Sequence, residues 1–123
     1  MKWPACEVCG GPVLTRQGVL LITHSDLDRY ESEESEWEAK HPTPKNGAIT
    51  LNMADAAAFP RKVHWLWGHT GCLPPDEMYW ISANRLNTLG KALHWTLHLM
   101  GKSWFRKTDW RDVIWRLHKV PDA

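Results

Sequence analysis

The chain has 123 residues, 15 Lys and Arg against 14 Asp and Glu, and a formal net charge of +1 at pH 7. That length is one domain's worth, and so small a net charge does not suit a generic polyanion binder. A 43% hydrophobic content with no apolar run of membrane-spanning length argues against wholesale disorder and against a bilayer helix.

In chain order, Cys6-Glu7-Val8-Cys9 is a C-x2-C pair followed at once by Gly10 and Gly11, which let the backbone fold tightly as in a zinc knuckle. Val13 to Thr15 and Val19 to Thr23 read as a hairpin around Arg16-Gln17-Gly18. Ser25 reads as the N-cap of a helix with Asp26 and Asp28 in its first turn and only a thin apolar stripe of Leu27, Tyr30 and Trp37. That helix stops before Pro42. Residues 41–47 are a loop by composition, Ala48 to Leu51 a short strand, and Ala54 to Phe59 one helical turn ended by Pro60. Val63, Trp65 and Trp67 alternate as a strand that runs into Gly68 and His69. His69-Thr70-Gly71-Cys72 is an H-x2-C pair, and Leu73-Pro74-Pro75 prevents a helix directly after it.

Leu86, Leu89, Leu93, Leu97 and Met100 recur at three- and four-residue steps, which predicts an amphipathic helix from about Ala83 to Met100 with that stripe buried. Gly101 stops it. Thr108 caps a second helix with Trp110, Val113, Ile114 and Leu117 inside, ended by Pro121. The expected architecture is an α+β fold: a zinc-knuckle or treble-clef-like module with short antiparallel strands and two packed C-terminal helices. It forms a single domain over 1–123, with a knuckle and strand part over 1–81 and a two-helix part over 82–120.

Cys6, Cys9, His69 and Cys72 use all three cysteines and supply the ligand number and type of a structural zinc ion, which closes the site on protein atoms and leaves no open position for chemistry. A redox role for the C-x2-C lacks its βαβ setting and leaves His69 and Cys72 without a task. Thiols at metal spacing suit a reducing compartment, and the N-terminus lacks the pattern of a signal peptide, so the expected location is the cytoplasm.

Charge is uneven, acidic over Asp26 to Lys40 and basic over Ser82 to Val120. The acidic stretch is read as a solvated face, with a partner surface or an intramolecular match for the basic helices as alternatives. Lys91, Trp95, His98 and Lys102 line one helix face, and Trp104, Phe105, Arg106 and Lys107 follow. These eight form the candidate partner-binding surface, since interleaved bases and aromatics suit phosphates and bases. Asp109 and Asp112 sit where a recognition helix would meet DNA, which counts against that use. His94 and His98 share a helix face, but Trp95 stands where a metalloprotease needs Glu, so they read as a polar flank. His41, Asn52 and His64 follow the order of an H-N-H nuclease without its spacing or its general base. Nine tryptophans exceed what so short a chain can bury fully, so several are expected at a surface.

The run C-x2-C-G, then W-x-W-G-H-x-G-C-x-P, L-H-W-T-x-H-L-x-G-K-x-W and T-D-W, resembles small uncharacterised zinc-binding proteins of actinobacteria and their phages. The resemblance implies the zinc site and a cytoplasmic, phage-encoded setting, and no activity. The leading expectation is a non-catalytic zinc-stabilised regulator or inhibitor that acts through a protein partner. The alternatives are a nucleic-acid binder using the basic C-terminal helices and a divergent H-N-H-like nuclease.

Overall fold

A computed structural model describes residues 3–41 and 57–118. The fold is α+β. Among the described residues, strands β1 (Gly18–Thr23), β2 (Leu66–His69) and β3 (Glu77–Ser82) form an antiparallel sheet in the order β2-β1-β3, and helices α1 (His24–Lys40), α2 (Leu89–Leu99) and α3 (Trp110–His118) complete the layers.

β1 lies between the other two strands, and its sequence, GVLLIT, is apolar on both faces and buried throughout. Leu20 and Ile22 enter the main core, while Val19 and Leu21 pack with Leu73 and Leu66 on the opposite side. Both of its edges are used: Leu20 faces Trp67 of β2 and Ile81 of β3. The expected hairpin with Val13 to Thr15 therefore does not form. Residues 13–15 instead lead into a turn closed by Gly18 N–H donating to Leu14 O at 3.1 Å. β3, which follows Pro74 and Pro75, takes the edge that the hairpin was expected to fill.

Trp65 is the hub of the core. Fully buried, it meets the rings of Tyr79, Trp104 and Trp110 at centroid distances of 6.3, 6.1 and 5.1 Å. Such tilted and edge-on contacts suit the aromatic quadrupole. Trp67 stacks on Trp3 at 5.0 Å and donates through Nε1 to Pro4 O, which straps the first residues to the sheet. Trp80 and Trp115 are exposed, in line with the expected surplus.

The long predicted C-terminal helix divides. Ala83–Arg85 form one 3-10 turn, Leu86 drops into the core, and α2 starts only after Thr88, whose Oγ1 accepts from Lys91 N–H at 3.1 Å. The new start sets the facing. Ala92 and Leu99 are buried, whereas Leu89, Leu93, Leu97 and Met100 are 59–63% exposed. At 3.6 residues per turn, that stripe lies roughly 100° around the helix from the buried face. α3 keeps its expected core side, with Trp110, Val113 and Leu117 buried and Ile114 packed at the margin. The expected strand at 48–51 lies outside the described residues, as does the start of the helical turn expected at 54–59.

α1 is capped two residues earlier than expected. Thr23, rather than Ser25, is the N-cap, and its Oγ1 accepts from Asp26 N–H at 3.2 Å. Replacing Thr23 with Ala should cost about 1 kcal/mol of stability, and Ser25→Ala should stay within about 0.5 kcal/mol. Urea unfolding of the two variants side by side checks the assignment.

Candidate functional site

The two candidate ligand pairs meet at one point, the first on the loop of residues 6–9 and the second at the end of β2. Residues 6–9 make a tight turn in which Gly10 N–H donates to Cys6 O at 2.9 Å and Cys6 N–H to Gly11 O at 2.9 Å. Gly10 adopts φ of 73°, a left-handed conformation that disfavours side chains. β2 ends in His69, and Cys72 N–H donates back to His69 O at 2.9 Å in a second tight turn. Antiparallel pairing of β2 with β1 holds that turn in place. At Gly68 a Cβ would stand 2.7 Å from Cys6 Sγ, so the sulfur lies against bare backbone.

The three Sγ atoms and His69 Nδ1 all lie within 4.8 Å of one another. Around a tetrahedral zinc ion, ligand atoms stand roughly 3.5–3.8 Å apart, so a small contraction would bring the set to that geometry. Cys9 Sγ and Cys72 Sγ already lie 3.4 and 3.7 Å from Nδ1. His69 Nε2 is 2.8 Å from Pro12 O, which can only accept. The proton is therefore on Nε2, and the Nδ1 lone pair faces the sulfurs, as a metal ligand requires. Gly11 N–H donates to Cys9 Sγ at 3.4 Å. Burial raises the Cys6 thiol, but backbone N–H groups of Cys9, His69 and Val8 outweigh it and draw the group down to about 6. Burial, and then the sulfurs of Cys9 and Cys6, push Cys72 up to about 11. Sulfurs packed this closely oppose one another's ionisation, and a bound cation reverses that opposition. The donor set is compatible with a metal ion on each of these counts.

A second constellation abuts the first. Glu7, between the two ligand cysteines, accepts from His64 Nε2 at 2.7 Å and from Arg116 at 2.9 Å. Asp109, just before α3, accepts from His64 Nδ1 at 2.7 Å and from Trp65 N–H at 2.8 Å. Both ring nitrogens face carboxylates, so both carry protons and His64 is an imidazolium. The hydrogen bond to Asp109 foremost, and that to Glu7, raise it to about 9 against the opposing effect of burial. This network ties the metal-ligand turn to both ends of α3. It takes His64 away from the H-N-H order: the imidazole is clamped between two acids, while His41 stacks on Trp37 at 4.3 Å and Asn52 lies outside the described residues. The sequence offered no periodic signal that joins Glu7 to Asp109 and Arg116, which lie about a hundred residues further along the chain.

The eight residues of the candidate partner surface fall into separate surroundings. Lys91, Trp95 and His98 share α2. There Trp95 and His98 meet edge-on at 5.2 Å, Arg85 lies 5.5 Å over the Trp95 ring, and Lys91 Nζ donates to Asn84 O. Lys102 lies 5.8 Å over Tyr79, and Trp104 and Phe105 pack against the core. Arg106 makes a two-pronged pair with Glu34 at 3.0 and 3.2 Å, and Lys107 pairs with Glu31 at 3.1 Å. The acidic helix thus meets part of the basic segment within the molecule, and the Arg106 hydrogen bonds foremost hold the Glu34 carboxyl below its ordinary range. What the surface does expose is the apolar stripe Leu89, Leu93, Leu97 and Met100 with Trp115 beside it. Sequence periodicity finds that stripe but assigns it to the core.

His64 gives a pH prediction with a definite sign. Its folded value lies above its ordinary 6.5, at about 9. The stability that it contributes is therefore complete below the lower value and is lost as pH rises through the upper one. With the side chain 44% exposed, solvent screening keeps that contribution small. Urea midpoints should fall between pH 6.5 and 9 for the natural chain, and His64→Gln should remove that part of the fall.

No protein-family model, curated protein or solved structure matches this chain, so its site is read from its own residues.

Proposed function

We infer that this is a non-catalytic, zinc-stabilised binding protein that acts on a protein partner, as a regulator or inhibitor. The observation that carries this reading is the face of α2 and α3, where four large aliphatic side chains and a tryptophan stand in solvent beside a well-packed core. Contiguous apolar surface of that kind on a small domain marks association, and Met and Trp are enriched in such surfaces. The pairing of Arg106 and Lys107 with α1 carboxylates supports it against nucleic-acid binding, because those bases are partly neutralised before any phosphate arrives. Nothing positive for catalysis comes from the described residues. The histidine with two acidic neighbours is used up in a structural clamp.

Zinc is the metal that best suits three thiolates and one imidazole, and a set with four protein ligands serves structure. In a chain this small, a tie between residues 6–9 and 69–72 closes a long loop and adds stability that the core alone supplies sparingly. The cytoplasm suits those thiols. Among the described residues, no helix is long and apolar enough to cross a membrane. The resemblance to small zinc proteins of actinobacteria and their phages implies the same zinc site and setting, and no activity.

Two outcomes are expected. Cys6→Ser and Cys72→Ser should each unfold the chain or lower its melting temperature sharply, and a chelator should do the same to the natural chain; an unchanged melt with no zinc in the purified protein would sink the zinc assignment. Supercoiled plasmid incubated with the protein and Mg2+ should migrate unchanged, and a photo-crosslinking residue at Leu97 should give a discrete protein adduct that Leu93→Asp removes. A shift of the plasmid released by salt would put nucleic-acid binding in first place, and nicking would restore the nuclease.

A further inference from the structure

α2 and α3 do not close on each other along their outer edge. They are joined beneath it by a chain of hydrogen bonds, in which Trp110 Nε1 donates to Thr96 Oγ1 at 2.8 Å and Thr96 Oγ1 to Ala92 O at 2.8 Å. The small side chains of Ala92 and Thr96 keep the floor low. Leu89, Leu93 and Met100 rise on one side, and Ile114 and Trp115 on the other, leaving an open groove of about 680 Å³. From Leu89 to Met100 the apolar wall runs about 16 Å at 1.5 Å per residue, the length of three helical turns.

Charge decides among occupants. The groove is lined by Lys62, Arg106 and Arg111 and by no acidic residue. α2 itself contains no acid, and its Lys91, His94 and His98 lie on the side away from the groove. Arg106 is shared with Glu34, whereas Arg111 is exposed and makes no ion pair among the described residues. A second copy seated two-fold on this groove would bring the rim cations toward their own counterparts, which costs affinity. A phosphate chain would satisfy the rim but leave the leucines uncovered. An amphipathic helix satisfies both floor and rim, burying aliphatic anchors at i, i+3, i+4 and i+7 and presenting acids outward to the cations.

We propose that the groove between α2 and α3 receives an amphipathic helix of a partner protein, with aliphatic residues toward Leu93 and Trp115 and Asp or Glu toward Arg111 and Lys62. The proposal rests on the protein-partner reading above and gives the partner its chemistry. The occupant lies across α2 and α3 as a third helix, and its affinity falls with added salt through the rim alone.

The test uses the full chain and two synthetic peptides of about 15 residues with the same leucine face, one with glutamates and one with lysines on its outer side. Labelled-peptide anisotropy should show the glutamate peptide binding, weakened at least about tenfold by Leu93→Asp. Arg111→Glu should weaken the glutamate peptide several-fold and improve binding of the lysine peptide. Both substitutions are on exposed positions, and an unchanged melting temperature verifies that each variant is folded. Equal binding of the two peptides by the natural chain, lost in Leu93→Asp, overturns the acidic helix and leaves the protein-partner reading standing. Failure of both peptides overturns the proposed occupant, and the Leu97 crosslink then decides the broader reading independently. A concentration-dependent dimer in sedimentation that Leu93→Asp dissociates assigns the groove to a second copy and overturns the proposal.

Discussion

The convergence of Cys6, Cys9, His69 and Cys72 is the constraint on which the rest of the molecule depends. It fixes the turn at residues 6–11 against the end of β2, and β2 holds that position only because it pairs with the central strand. Sulfur bulk and backbone meet so closely at Gly68 that the turn and the strand have to be placed together. A loop of more than sixty residues is closed by this one point, and loop closure grows only slowly more costly with length, so a single tie can organise a large share of a small chain. Hydrogen bonds to the imidazole and to the sulfurs orient the donors, as second-layer partners do at metal centres.

From that point the order propagates through charge. Glu7 stands between two cysteines and reaches His64 and Arg116, and His64 reaches Asp109. The ligand turn is thereby tied to the start and to the last turn of α3 without an intervening strand. Asp109 also caps Trp65 N–H, so the same carboxylate orients the tryptophan around which Tyr79, Trp104 and Trp110 assemble. Acid and base alternate along this path, which is why a partly exposed imidazole keeps both of its protons. On the far side, Glu31 and Glu34 of α1 meet Lys107 and Arg106, so part of the acidic helix and part of the basic segment hold each other in place.

Once core and charges are accounted for, the outer face of α2 and α3 is what remains. Leucines that would stabilise a helix pair by packing instead point outward, with a tryptophan across the groove and cations on its rim. An isolated small domain has little stability to spare, so side chains of that size in water point to use by a partner. The proposed role as a binding module rests on this surface, and a metal ion held by the Cys3His cluster would help keep the surface in place.

The cluster of Cys6, Cys9, His69 and Cys72 was legible in the sequence because metal chemistry favours particular residue types at short spacings, and those spacings are local. α3 was legible for a similar reason: Trp110, Val113 and Leu117 repeat at the helical period and need only one surface to pack on. The thin stripe expected of α1, Leu27, Tyr30 and Trp37, has Tyr30 alone buried. The sequence could not decide which strands pair, since GVLLIT suits an edge or a centre equally and only competition among Leu66–His69, Glu77–Ser82 and residues 13–15 places it between two partners. Nor could it orient α2. The period of the leucines is intrinsic to the helix, but the side that faces inward depends on where the helix begins, and Leu86 entering the core ends the 3-10 turn and restarts the helix at Thr88. The clamp of Glu7, His64, Asp109 and Arg116 likewise arises from segments far apart in the chain, and no local pattern records it. Local chemistry was written in the sequence, while pairing, facing and charge partners were decided by tertiary structure, because each depends on which distant segment arrives.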